Sequence, residues 1–176
     1  MRELDVLRDL LADSFTRVAE LVEQLTEGLD DDAAAYRPDP EANSVAWLLW
    51  HLARVEDDHV ADLAGAEQVW PAWRERFALP FPDDETGYGQ SAAEVGQVRV
   101  RGDLLGGYYA DVHAATLRYV ATVDADRLAQ VVDDRWDPPV TASVRLVSVL
   151  GDITQHVGQA AYVAGLAKRA AGGAAG

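Results

Sequence analysis

Apolar residues recur along most of this chain at intervals of three and four, the spacing of an α-helix with one buried face. Between 4 and 28 they fall at Leu4, Leu7, Leu10, Leu11, Phe15, Val18, Leu21, Val22 and Leu25, and Gly28 ends the run. A polar, proline-bearing connection, YRPDPEANS, follows. The spacing then predicts a second helix, VAWLLWHLARVEDDHVADLAG, capped by Asn43 or Ser44 and closed by Gly65. A third helix is predicted over about 102–123 and a fourth over about 141–168. No segment alternates convincingly as a strand would. Four long amphipathic helices predict an all-α fold, a four-helix bundle.

Two connections, 66–101 and 124–140, are too long for hairpin turns, and loops of that length often wall or cover a site. Within the first, Ser91 and Glu94 predict a capping box for a short helix. In the second, Pro138 and Pro139 exclude regular helix. Residues 1–168 read as a single domain, and 169–176 as a tail that frays for want of a packing partner.

The fourth helix breaks its own pattern. Asp152 and His156 stand one turn apart, Arg145 lies seven residues before Asp152, and Gln159 seven after it. All four share one stripe with Val149 and Val163. Such a stripe is costly to bury unpartnered, so it lines a polar cavity or holds an ion. A carboxylate and an imidazole at i and i+4 begin a divalent-metal site whose third ligand comes from another helix. His51, His59 and His113 are the remaining histidines. A lone histidine on an apolar face is more often a hydrogen-bonded core residue. His113 follows Tyr109 by one turn and reads as its structural partner. His59, beside Asp58, reads as structural too, and lies too far from His51 to share an ion with it. His51 stands out by its setting between tryptophans and leucines. Glu56 and Asp57 read as solvated helix positions. Trp70, Trp73, Tyr88 and Trp136 read first as residues that pack the loops down.

Composition narrows the chemistry. Thirty acidic residues against fifteen basic ones leave a net charge of −15, which repels a phosphate backbone and argues against a nucleic-acid partner. Lys168 is the only lysine. No apolar run is long enough to span a membrane, and the acid-rich N-terminus does not resemble a targeting signal, so a cytoplasmic location is expected. There is no cysteine. Thiolate nucleophiles and cysteine-ligated zinc are thereby excluded; a metal must rest on histidine and carboxylate, and any thiol chemistry needs an external thiol.

NSVAWLLWHLARVED at 43–57, followed by DDRWDPPVTASVRLVSVLGDITQHVGQAAYVAGL at 133–166, resembles the DinB-like superfamily. The likeness is greatest to the branch similar to mycothiol-dependent maleylpyruvate isomerase and related thiol transferases. That resemblance implies a four-helix bundle with a divalent metal held by His51, Asp152 and His156. Relatives in that branch commonly carry glutamate where this chain has the shorter Asp152. Two histidines and a carboxylate leave open positions on an ion, as a catalytic site requires. Zinc is the first expectation, with nickel or iron compatible with the same ligands.

The expected activity is metal-dependent activation of a low-molecular-weight, mycothiol-like thiol, for transfer to a small electrophile or its isomerisation. Arg145 is the candidate catalytic residue, pairing with a carboxylate of thiol or substrate, or else orienting Asp152. Two alternatives stand beside this one. The first is a non-catalytic metal-binding bundle that acts through protein association. The second is a structural or regulatory dimer in which Asp152 and His156 bond to each other. A homodimer is compatible with all three.

Overall fold

The computed structural model describes residues 3–173. Four long helices form the bundle: α1 (Glu3–Thr26), α3 (Val45–Ala64), α6 (Gly102–Val120) and α8 (Ala142–Gly173). Helix α3 packs most extensively on α8 and then on α6, while α1 packs on α6 and α8, so α1 and α3 lie on a diagonal. Short helices interrupt the connections: α2 (Asp31–Ala35), α4 (Arg74–Phe77), α5 (Ala92–Val95) and α7 (Ala125–Ala129), with a 3-10 turn at Trp70–Ala72. No described helix is long and apolar enough to cross a membrane.

The caps behave as their residue types dictate. Ser44 accepts the Trp47 N–H at the start of α3, and Gly65 closes it in the left-handed conformation at φ 62°. The capping box of Ser91 and Glu94 forms on α5. Helix α8 runs past its expected end near 168 to Gly173, because the alanine-rich stretch favours helix even without a partner. The last three residues of the tail expected to fray lie outside the described residues.

Between α7 and α8 the chain makes a two-stranded antiparallel ribbon, β1 (Val131–Asp133) and β2 (Val140–Thr141), pairing Val131 with Thr141 and Asp133 with Val140. Strands this short leave no alternation to read. Pro138 and Pro139 occupy the turn that joins them.

The burial of the four helices is unequal. Helix α1 buries only Phe15, Val18 and Val22, and leaves Leu10 63% exposed despite its place in the apolar repeat. Helix α3 is buried nearly all round from Val45 to Arg54, including Trp47, Trp50 and His51. Helix α8 buries a single stripe through Leu146, Val149, Ile153, Val157 and Ala160. Asp152 and His156 flank that stripe. The most extensively packed helix pair in the bundle is therefore also the pair that carries the candidate ligands.

Candidate metal centre

Helix α3 delivers His51, only 5% exposed, into the seam with α8. One ligand atom from each of His51, Asp152 and His156 lies within 4.8 Å of the others. The two imidazole rings meet edge-on, 4.7 Å between centroids and 79° between planes. Trp47, one turn before His51, stacks on its ring at 4.6 Å and presents an edge to His156 at 6.2 Å. An indole thus walls the site on one side.

Both imidazoles are oriented by acceptors on their Nδ1 atoms. His51 Nδ1 lies 2.6 Å from the Thr86 carbonyl, and His156 Nδ1 lies 3.0 Å from Gln159 Oε1. A carbonyl oxygen can only accept, so each Nδ1 carries a proton, and in the neutral ring each Nε2 is left with a free lone pair. His156 Nε2 faces Asp152 Oδ1 at 3.6 Å. The other oxygen, Asp152 Oδ2, is buried and has no hydrogen-bond partner.

Two lone-pair nitrogens and one carboxylate with an orphaned oxygen repel one another unless a cation or proton sits among them. The donor set therefore fits a divalent metal. Without a metal, a proton on His156 Nε2 takes the cation's place beside Asp152. Burial pushes the Asp152 carboxyl up, but the His156 hydrogen bond and the nearby imidazoles outweigh it and leave it below the ordinary range. His156 is raised, chiefly by its bond to Asp152, and His51 is lowered, chiefly by burial. With side chains 34% and 19% exposed, Asp152 and His156 form the open side of the site.

The other candidates go elsewhere. His59 pairs loosely with Asp58, Nδ1 to Oδ2 3.6 Å, and takes no part in the cluster. His113 Nε2 lies 3.4 Å from Thr16 Oγ1 on α1, so its neighbour is a threonine rather than the expected Tyr109. Arg145 pairs with Asp133 of the ribbon at 3.3 Å, a partner the sequence does not indicate, and Asp133 is held more tightly by Arg135 at 2.8 Å. Trp70 is buried against Trp50 and Phe77, whereas Tyr88 and Trp136 are exposed at 91% and 65%.

The expectation of solvated Glu56 and Asp57 is overturned. Glu56 is 0% exposed, accepting from Tyr109 Oη and Thr116 Oγ1, both at 2.6 Å. Asp57 accepts from the Val69 and Trp70 N–H groups and from Tyr108 Oη, each at 2.8 Å. The reason lies in helix phase. Leu49, Ala53, Glu56 and Val60 follow one another at four, three and four residues, so Glu56 continues the apolar face into α6. Phase was the available signal, and the acidic run that begins at Glu56 obscured it.

A sequence profile of the mycothiol-S-transferase family matches residues 10–166. The chain belongs to this family. Among solved structures it is similar to a conserved protein from Enterococcus faecalis, 34% identical, with a TM-score of 0.82 over 89% of this chain and 94% of that one. Comparison with proteins of curated function returned no match. The fold of this mycothiol S-transferase family member is the DinB-like bundle that its sequence resembles.

Proposed function

We propose that the protein is a divalent-metal-dependent enzyme that activates a mycothiol-like thiol for transfer to, or isomerisation of, a small electrophile. The observation that carries the reading is the convergence of His51, Asp152 and His156 with both Nδ1 atoms tied back and Asp152 Oδ2 unpartnered. Family membership supports the thiol as co-substrate. Zinc is the metal we put first, and nickel or iron would accept the same ligands.

Bound there, a divalent cation would supply the Lewis acidity that keeps an incoming thiol deprotonated at neutral pH. The residues do the rest. His51 and His156 present their Nε2 atoms, and Asp152 lends the negative charge that favours the cation. The open side at Asp152 gives the thiol proton a path to water. Trp47 keeps water from the opposite side, so that the sulfur meets a carbon electrophile in preference to solvent. Without any cysteine, the chain offers no thiol of its own to compete for the site.

Arg145 remains the candidate for an acidic group on thiol or substrate. It lines a polar cleft with Asp58, His59, Asp62, Asp133 and Arg135, and would exchange Asp133 for the incoming carboxylate. Helix α8 also leaves Val144, Val147 and Tyr162 exposed at 53%, 68% and 67%, which favours the second reading, a metal-binding bundle that acts by association, a homodimer included.

One assay separates the two. The purified protein is loaded with zinc and given a test electrophile with either mycothiol or glutathione. Consumption that requires mycothiol, and is lost after chelation, is expected of the enzyme. Stoichiometric metal with no thiol-dependent turnover would leave only the binding bundle.

A further inference from the structure

We propose that Arg54 is a positioning residue for the metal centre, acting through the main chain of residues 85–86 to hold His51 in its ligating tautomer. The proposal rests on the metal-centre reading above. Arg54 lies one turn beyond His51 on α3 and is 0% exposed. Its Nε donates to the Glu85 carbonyl at 3.1 Å. The next carbonyl along the chain, that of Thr86, accepts the His51 Nδ1–H. Consecutive carbonyls are joined through rigid peptide planes, so a grip on the first restricts where the second can point.

The segment they belong to is strapped across one face of α3. Residues 47, 51 and 54 stand at i, i+4 and i+7 on that face. Trp47 Nε1 donates to Gln90 Oε1 at 2.7 Å, which fixes the far end of the strap. Glu85 folds back to accept the Gly87 N–H at 2.7 Å. Gly87, at φ +93°, lies so close to the helix that a Cβ there would stand 3.0 Å from both His51 Nδ1 and the Trp50 ring. No other residue type suits that conformation and that approach together.

An apolar side chain would fill the space of Arg54 without the cost of burying a charge. What it could not do is hold a loop carbonyl. The guanidinium reaches three partners at once: Glu85 O, Gln68 Oε1 at 2.8 Å and Tyr108 Oη at 3.4 Å. Asp57 Oδ2, 3.6 Å away, offsets the charge, and the Trp70 ring lies 4.9 Å beneath. The buried network and the metal ligand are thereby linked through one side chain.

The test uses the full chain loaded with Co(II), read by chelator competition and by the ligand-field spectrum. Arg54→Met is expected to weaken cobalt binding about 10-fold, the lower end of what losing an orienting partner of a ligand costs. The spectrum should change with it, and Arg54→Lys should restore part of both. Tyr108→Phe removes a hydroxyl from the same network without touching the strap. It should lower the melting temperature yet keep cobalt affinity within about 2-fold of the parent. Parental affinity and spectrum in a folded Arg54→Met variant would overturn the proposal. Should that variant not fold, Gly87→Ala displaces the strap by its Cβ and must give the same affinity loss and spectral change; unchanged binding there would equally overturn it. A His51→Ala variant that binds cobalt as tightly as the parent would instead bring down the metal-centre reading itself.

Discussion

Helix α3 carries two polar clusters less than two turns apart, and they are built on opposite principles. Around Glu56 and Asp57 every carboxylate oxygen in the core meets a donor: two hydroxyls for Glu56, two backbone amides and a third hydroxyl for Asp57. Around His51 the groups that converge are acceptors, and one carboxylate oxygen of Asp152 meets nothing. The first cluster is complete within the chain and ties α3 to α6 and to the 68–70 loop. The second has the make-up of a site that a cation would complete. Burial alone does not separate structural from functional polar groups here; the balance of donors and acceptors does.

The largest effect expected from breaking the comparison is on the open cluster. His156→Ala should take purified protein from near-stoichiometric metal to almost none by elemental analysis. The metal-free form should change in stability by less than about 2 kcal/mol, since the ring is partly exposed and its removal relieves the converging acceptors. A metal-free parent protein of unchanged stability would erase the distinction between the two clusters.

The closed cluster should answer in the opposite way. Glu56→Ala strands two buried hydroxyls and leaves a cavity, at a cost of about 3–5 kcal/mol in chemical denaturation. Metal stoichiometry in whatever fraction stays folded should not move. Loss of metal in folded Glu56→Ala would mean that Glu56, and not Arg54 alone, bears on the metal site.

A finer effect concerns pH. Burial pushes the Glu56 carboxyl up to about 7, against the hydrogen bonds from Thr116 and Tyr109 that pull it down. The folded chain therefore holds that proton more tightly than the unfolded one. The stabilisation is complete below the ordinary glutamate range and is lost as pH rises through about 7. Over that window it amounts to at most about 3 kcal/mol. Denaturation midpoints followed from pH 4.5 to 8 should fall in the parent and flatten in Glu56→Gln. Parallel curves for the two would assign the pH dependence to other groups.

Much of this architecture was legible beforehand because its causes are local. The Ser44 cap, the Gly65 stop, the Ser91–Glu94 box and the one-turn pair Asp152–His156 each rest on residues a few positions apart. What stayed hidden depends on distant or main-chain partners. Glu56 finds its donors more than fifty residues away, on α6. Arg145 finds Asp133 in a ribbon too short to announce itself. The acceptor for His51 is a backbone oxygen, which no residue type marks. Leu10 failed in the other direction: it keeps the helical period of α1 but finds nothing to pack on.

That backbone acceptor has a consequence for how the loop can diverge. Exchanging the side chain of residue 86 leaves the oxygen where it is, so the spelling of this position is free while its spacing is not. Removing or adding a single residue between 85 and 90 would slide a different atom under the imidazole. Among variants of this protein, the loop should accept new letters readily and resist any change in length.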